Sequence, residues 1–569
     1  MTDNPKVPED QPSAGTFDLI VAGSGAAGLC AAVTAAFHGL KVCLLEKTDV
    51  IGGTTAWSGG WIWAPCNPVG QRAGIVEDTT APRLYLQSLL GNHFEADRID
   101  AFLAAAPRMV GFLEDNTALE FEGGLAIPDT YSHLPGAGMG GRSVIARPYD
   151  ARKLGTSLKL LRKPMRETTF FGMTIQAGPD LRAFLTMLRS TASFGHVMKR
   201  TLRHFRDLAL HGRGMDLRNG NALAARLLRT ALDLGVDIRT GAVIDRLITS
   251  DGRVLGVALE DGTQLTAERG VVLACGGFSQ NPVIRQGIFP RNEDHRSLAL
   301  QSAAGDGLTL AMSAGAVPKT NLAHPAAYCP VSTVPWENGQ SGQFPHIIDR
   351  GKPGVIGILA SGRRFCNEGL GYHDYVTALL AAVPEEEKAE SWLVCDHRFL
   401  RRYGLGIVRP SPVPFGAWLR NGYLKTGKTP EELARACGID PAGLTTTLDT
   451  WNRHAATGED PEYGRGATPY MRLQGDPAQK PNPCVAPIAS APYYAVKVVP
   501  GSFGTFAGIA TDSSARVLST DGTPIIGLYA AGADAASVFG GFYPAGGINL
   551  GPALTFGYIA GCHAAGKDI

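Results

Sequence analysis

Short continuous apolar runs, stretches with a 3.6-residue apolar period and long loops rich in glycine and proline alternate along this chain. The first apolar run, Phe17 to Ala22, is brief, uninterrupted and β-branched, which predicts a buried strand. Gly23, Gly25 and Gly28 follow as G-x-G-x-x-G, then an alanine-rich helix to about Gly39, then a second strand from Val42 to Leu45 that closes on Glu46. Strand, glycine turn, helix, strand and acid in that order predict a dinucleotide-binding βαβ unit. Gly23 allows the tight turn, Gly25 lets the backbone approach a pyrophosphate, and Gly28 lets the helix pack closely on the strand. Ser24, Ala26 and Ala27 complete the turn, and the helix N-terminus there offers N–H groups to phosphates. Glu46 is placed to accept from a ribose hydroxyl pair.

The pattern clears again from Gly220. NALAARLLRTALDLG has helical spacing and stops on Gly235. VDIRTGAVIDRLI, VLGVALE and QLTAERGVVLACGG read as strands, with Asp251-Gly252 and Asp261-Gly262 as hairpin turns. This meander, with Val243 near its start, returns to small residues at Ala274, Gly276 and Gly277. Gly305 to Ala316 predicts a helix with Asp306 able to cap it. In the tail, a strand at Leu528–Ala530 leads to Gly532 and Asp534, and a helix starts near Leu550, just after Asn549. The texture from about 317 to 490 differs, being richer in Pro, Tyr, Trp and His, and is assigned to a substrate-facing cap. The expected architecture is α/β: a discontinuous Rossmann-like nucleotide domain, 16–295 and 491–569, with an excursion at about 80–215. An α+β cap, 296–490, is inserted in it, and residues 1–15 form a polar tail expected to be disordered.

Composition changes this picture little. A chain of 569 residues exceeds a single core. A formal net charge of +1 offers no field for nucleic acid. Ten cysteines occur singly without C-x-x-C, which points to a reducing, cytoplasmic setting and to no metal site. No apolar run reaches membrane-spanning length, although peripheral membrane contact remains compatible with a lipophilic substrate. Shortly after Glu46 and Lys47, from Gly52 to Trp63, lies a backbone-rich loop, GGTTAWSGGWIW. Its Gly53, Thr54, Thr55, Ser58, Gly59 and Gly60 suit a diphosphate and a flat ring.

The glycine fingerprint with GGTTAWSGG, the segment PGVIGILASGRRFCNEGLGYHDYV and the tail FYPAGGINLGPALTFGYIAG together resemble the fumarate reductase/succinate dehydrogenase flavoprotein superfamily. Within it the chain is most similar to the 3-ketosteroid Δ1-dehydrogenase branch. The resemblance implies FAD, and no histidine flanks GGTTAWSGG, so the expected link is non-covalent. It also implies that the Leu550 helix directs its dipole at the flavin. Dicarboxylate reductases of the superfamily clamp their substrate with arginines, one of them shortly after R-F-x-N-E. Here Arg364-Phe365-Cys366-Asn367-Glu368 is followed by Tyr372, the tail position before Gly546-Gly547 carries no arginine, and Pro500–Ile509 lacks the expected histidine. A dianion there would be desolvated without a partner.

What the resemblance implies instead is the desaturation of a neutral cyclic ketone. Tyr372 would take the α-proton, Tyr543 and the Gly547 amide would hold the ketone oxygen, and a hydride would pass to flavin N5. Tyr131 is the candidate for assisting Tyr372, with Tyr149 as fallback; His373 and His324 are expected bystanders. An external acceptor such as a quinone would receive the electrons. A smaller cyclic ketone, the reverse ene-reduction, or a partner-dependent electron-transfer role are the alternatives.

Overall fold

The computed structural model describes residues 15–568, so all but the last residue of the expected 1–15 tail lies outside the described part. The predicted βαβ unit is formed by β1 (Thr16–Ala22), α1 (Ala26–Phe37) and β2 (Val42–Glu46). Further along come α2 (Asn219–Asp233), β3 (Asp237–Thr240), β4 (Ile244–Ser250), β5 (Arg253–Leu259) and β6 (Gln264–Leu273). Strands β3, β2, β1 and β6 run parallel side by side. Antiparallel β4 and β5 form the meander with the first half of β6. Asp251 and Gly252 both have positive φ, 51° and 73°, at the β4–β5 turn, the geometry that a two-residue hairpin of matching twist requires.

β6 joins two parts of one eight-stranded sheet. Its first half faces the meander, and its second half, Val271–Leu273, pairs in parallel with Leu528–Ala530 of the tail strand Pro524–Ala530. Gly270 marks the change, where a Cβ would lie 2.2 Å from the Gly527 carbonyl oxygen. The tail thus returns to the nucleotide sheet, and its last helix, Leu550–Ala564, packs on α1. The approach is close because small residues meet there: a Cβ on Gly557 would sit 2.5 Å from the Ala27 carbonyl oxygen. Alanine in α1 and glycine in the last helix therefore let two buried backbones touch.

The cap is built on a second sheet. Its order is Ser341–Pro345, Ala326–Pro335, Tyr493–Thr505, Ser391–Asp396, Val355–Ile358. The strand Tyr493–Thr505 is central and pairs antiparallel with neighbours on both sides. That pairing moves the expected boundary at 490/491, because residues up to Thr505 belong to the cap sheet. A strand's sheet is decided by partners far away in sequence, which local pattern does not carry. The helix Tyr372–Ala382 lies on this sheet and brings its first residue to the border between cap and nucleotide domain.

A buried ion cluster inside the cap precedes that helix. Arg364 donates to Glu368 at 2.8 Å and to Asp460 at 2.8 Å, and Arg465 reaches Glu368 at 3.2 Å. Asn367 accepts from the Gly369 amide and donates to the Tyr463 carbonyl. The R-F-x-N-E segment is therefore a clasp that fixes the turn leading into Tyr372. The arginines hold both carboxyl groups below their usual range despite burial. Depressed carboxyl pKa values give stability that is present above the unfolded values, near 4, and is lost as pH falls through the folded ones. Glu368→Gln leaves Arg465 and Arg364 short of a counter-charge, and is expected to cost about 3–5 kcal/mol, read as a lower melting temperature at neutral pH.

Candidate active site

The C-terminal ends of the parallel strands converge on one cavity of about 1520 Å³ that continues between the two domains. Gly23 closes β1 with φ +102°, and a Cβ there would lie 2.2 Å from the Ala274 carbonyl oxygen. Gly28 lies behind the cavity wall, where a Cβ would meet the Gly23 carbonyl oxygen at 1.9 Å. Ser24, Gly25, Ala26 and Ala27 line the cavity, as do Glu46 and Lys47. Gly53, Thr54, Thr55, Ser58, Gly59 and Gly60 face them from the tryptophan-bearing loop. Val243, Ala274, Gly276 and Asp306 continue the wall, and Gly532, Asn549 and Leu550 complete it from the tail.

Several polar contacts set this cradle. Glu46 accepts from the Ser24 hydroxyl at 2.5 Å, and from the amide and hydroxyl of Thr48, each at 2.9 Å. Thr55 accepts from the Ala26 amide at 2.9 Å. The amides of Gly25, Gly53 and Thr54 find no acceptor among the described residues. Unclaimed donors along a cavity wall match a diphosphate. Open space beside Gly59 and Gly546 leaves room for a ring. The residues present fit FAD.

Two expectations change here. Asp306 does not cap its helix. Gly305 holds the cap position in a left-handed conformation, and the Asp306 carboxylate instead pairs with Lys47 across the cavity wall. Asp534 does not line the cavity. It is buried, accepts from the Cys275 amide at 2.5 Å and the Gly277 amide at 2.9 Å, and ties β6 to the tail. Burial pushes its carboxyl up from the ordinary range. Sequence spacing brought Asp534 near the cofactor but gave no information on which way its side chain turns.

On the opposite side of the cavity the Tyr372 hydroxyl donates to the Tyr543 oxygen at 2.7 Å. The two rings meet edge to face, 4.9 Å apart. Asn549 also donates to the Tyr543 oxygen, at 3.2 Å. That oxygen thus accepts twice, which leaves its own O–H to point elsewhere. Gly547 lines the cavity with φ +106° and an amide that has no acceptor among the described residues. A Cβ at Gly547 would lie 2.7 Å from the Trp63 nitrogen, so the left-handed conformation and the close approach both require glycine. Tyr543 O–H and Gly547 N–H are free donors four residues apart on one loop.

Tyr131 does not join this pair. Its hydroxyl donates to Asp374 at 2.7 Å, and it is not among the cavity-lining residues. The neighbour of Tyr372 is Tyr543 of the tail loop, while the excursion meets the start of the helix through Asp374. Tyr149 is buried apart from the cavity beneath the Arg226 guanidinium. His373 packs between Tyr328 and His324 and accepts from the Tyr328 amide at 3.2 Å. Burial keeps it neutral, well below the usual imidazole value. Tyr470 and Phe503 line the cavity too and were not singled out from sequence; isolated aromatics in irregular stretches carry no pattern that marks them.

Burial raises the Tyr372 phenol well above its ordinary value, and its hydrogen bond to Tyr543 adds to the effect. The Arg350 guanidinium lies 5.9 Å from the centre of the Tyr372 ring. Tyr543 is raised as well, again chiefly by burial. Both phenols are neutral at pH 7.

A nucleotide cradle facing two hydrogen-bonded phenols defines a flavin-dependent oxidoreductase. The chain belongs to the FAD binding domain family, whose model matches residues 18–550. It is 40% identical to 4-oxocyclohex-2-ene-1-carboxylate 5-dehydrogenase of Sinomonas cyclohexanicum, over 96% of this chain and 93% of the relative. It is 34% identical to 3-oxosteroid 1-dehydrogenase of Mycobacterium tuberculosis strain H37Rv, over 96% of this chain and 98% of that one. Among solved structures it resembles the 3-ketosteroid Δ1-dehydrogenase from Sterolibacterium denitrificans in complex with 1,4-androstadiene-3,17-dione. The TM-score is 0.89 at 35% identity, covering 97% of this chain and 99% of that one. The cofactor is FAD and the fold is that of this dehydrogenase. Among the described residues no helix is long and apolar enough to cross a membrane.

Proposed function

We propose that the chain dehydrogenates a cyclic ketone next to its carbonyl, as a 3-ketosteroid Δ1-dehydrogenase. The observation that carries this reading is the Tyr372–Tyr543 contact at 2.7 Å on the cavity wall, with the Gly547 amide unclaimed beside it. Tyr543 O–H and Gly547 N–H bind the ketone oxygen and stabilise the enolate that develops as the α-proton leaves. The Tyr372 oxygen receives that proton. FAD, when bound, would supply the hydride acceptor for the β-carbon; the amides of Gly25, Gly53 and Thr54 and the start of the Leu550 helix would hold it. An external acceptor, quinone-like in chemistry, then takes the electrons, since the sequence carries a single nucleotide fingerprint.

Because Tyr372 must be ionised to act, its raised pKa sets the pH dependence. The anion fraction grows about tenfold per pH unit below the pKa, so kcat/KM should climb with pH and reach no plateau below about pH 10. A flat profile from pH 7 to 10, followed with a dye acceptor, would remove Tyr372 as the base.

A second reading is favoured by two cations. Lys352 and Arg409 line the cavity without a carboxylate partner among the described residues; Lys352 donates to the Gly475 carbonyl at 2.7 Å, and Arg409 to the carbonyls of Glu167 and Thr169. They suit a smaller ring that bears a carboxylate, the kind of compound named for the Sinomonas relative. Dye-linked turnover of 4-androstene-3,17-dione against 4-oxocyclohexanecarboxylate separates the two. Preference for the steroid supports the first reading and preference for the acid the second. Turnover of neither, by protein that carries its flavin, overturns both.

A further inference from the structure

Gly546 and Gly547 share one peptide group, and it is trans. In a trans peptide the C=O and the N–H point to opposite sides of the chain. Whatever holds the Gly546 carbonyl therefore aims the free Gly547 N–H. Glycine stands on both sides of this peptide, so side-chain sterics do not set its plane. A Cβ on Gly546 would meet nothing within 4 Å, and Gly547 has φ +106°. A contact from outside the loop has to decide whether the N–H or the carbonyl faces the cavity.

That contact is Ser143. Its hydroxyl donates to the Gly546 carbonyl at 3.1 Å and is the single donor on that oxygen among the described residues. The Trp63 amide holds the next carbonyl, that of Gly547, also at 3.1 Å. Trp63 and Ser143 stand opposite one another on the antiparallel strands Trp61–Trp63 and Ser143–Ala146. One small sheet thus grips two successive carbonyls of the tail loop. The grip is itself braced: the Trp63 indole N–H donates to Asp129 at 2.9 Å, and Arg142 pairs with Asp129 at 2.6 Å and with Glu77 at 2.8 Å. Asp129, Arg142 and Ser143 are each 2% exposed. Ser143 does not line the cavity, so its hydroxyl serves the carbonyl and not the ligand space.

We infer that Ser143 is a positioning residue for the proposed reaction: its hydroxyl keeps the Gly547 N–H turned toward the ketone oxygen. The inference rests on the reading of Tyr543 and Gly547 as the pair that stabilises the enolate. Without the hydroxyl, rotation of the two-glycine peptide brings a carbonyl oxygen to the place of the donor, and it then opposes the charge that develops on the enolate oxygen. The hydrogen bond on the carbonyl also polarises the peptide and strengthens its N–H as a donor.

The test is Ser143→Ala in the FAD-loaded chain, with rates taken per bound flavin. kcat is expected to fall by about 10–10²-fold, the range for a reacting group displaced by about 1 Å. KM should stay within about threefold, because a neutral ketone gains less from a donor than an enolate does. The alkaline rise of kcat/KM should keep its position, since no contact of Tyr372 is altered. Ser143→Thr, which keeps a hydroxyl on the same carbon, should recover most of the rate. An unchanged kcat in Ser143→Ala overturns the inference. So does a loss that follows flavin content, a raised KM at full kcat, or an equal loss in Ser143→Thr, each of which marks a packing role. A native enzyme that turns over neither ketone fails the underlying reading and the inference with it. A working native enzyme matched by Ser143→Ala overturns the inference alone.

Discussion

Tyr372→Phe is expected to reduce turnover by about 10²–10⁴-fold, the span of a lost general base, while leaving the flavin bound. The phenol oxygen is the only atom removed. The ring keeps its edge-to-face contacts with Tyr543 and Phe503, so packing survives. No cradle contact to the dinucleotide passes through this side chain. Flavin content of the purified variant, set beside its dye-linked rate, distinguishes lost chemistry from lost fold. Appreciable remaining turnover with full flavin would mean that another group takes the proton. The pH profile offers a second reading of the same point, because the alkaline rise should vanish with the hydroxyl.

Tyr543→Phe should slow proton abstraction by about 10²–10³-fold, or about 2.7–4 kcal/mol, as expected for one oxyanion donor. Here the effect is on the developing enolate more than on the bound ketone, since a charged oxygen gains more from a donor than a neutral one. The fall should therefore appear mainly in kcat, with a smaller change in KM. The variant also removes the acceptor of the Tyr372 hydroxyl and of Asn549. Losing that bond removes one cause of the raised Tyr372 pKa, so the alkaline rise should shift to lower pH even as the maximum falls. An unchanged kcat would take Tyr543 out of the site.

The nucleotide half was legible because its chemistry is local. Gly23, Gly25 and Gly28, then Glu46, act within one βαβ unit, and the periodicity of each part shows in a window of a dozen residues. Lys47 and Asp306 were each singled out, but their pairing across the cavity was not, because it joins positions 259 apart. Asp534 shows the same limit: its place near the cofactor followed from spacing, while its inward turn onto the Cys275 and Gly277 amides depended on where β6 ends. Tyr131 shows it again, since Asp374 claims its hydroxyl from another element.

The amino-acid pattern by itself determined the Rossmann-like unit, the glycine fingerprint within it and the return of the tail to it. The tertiary structure decided which phenols touch, that Asp374 takes the Tyr131 hydroxyl, and that Tyr493–Thr505 belongs to the cap sheet. The reason is one of range: backbone conformation and glycine requirements are set by neighbours in sequence, whereas contact between side chains, strand partners and burial are set by which distant segments the folded core brings together.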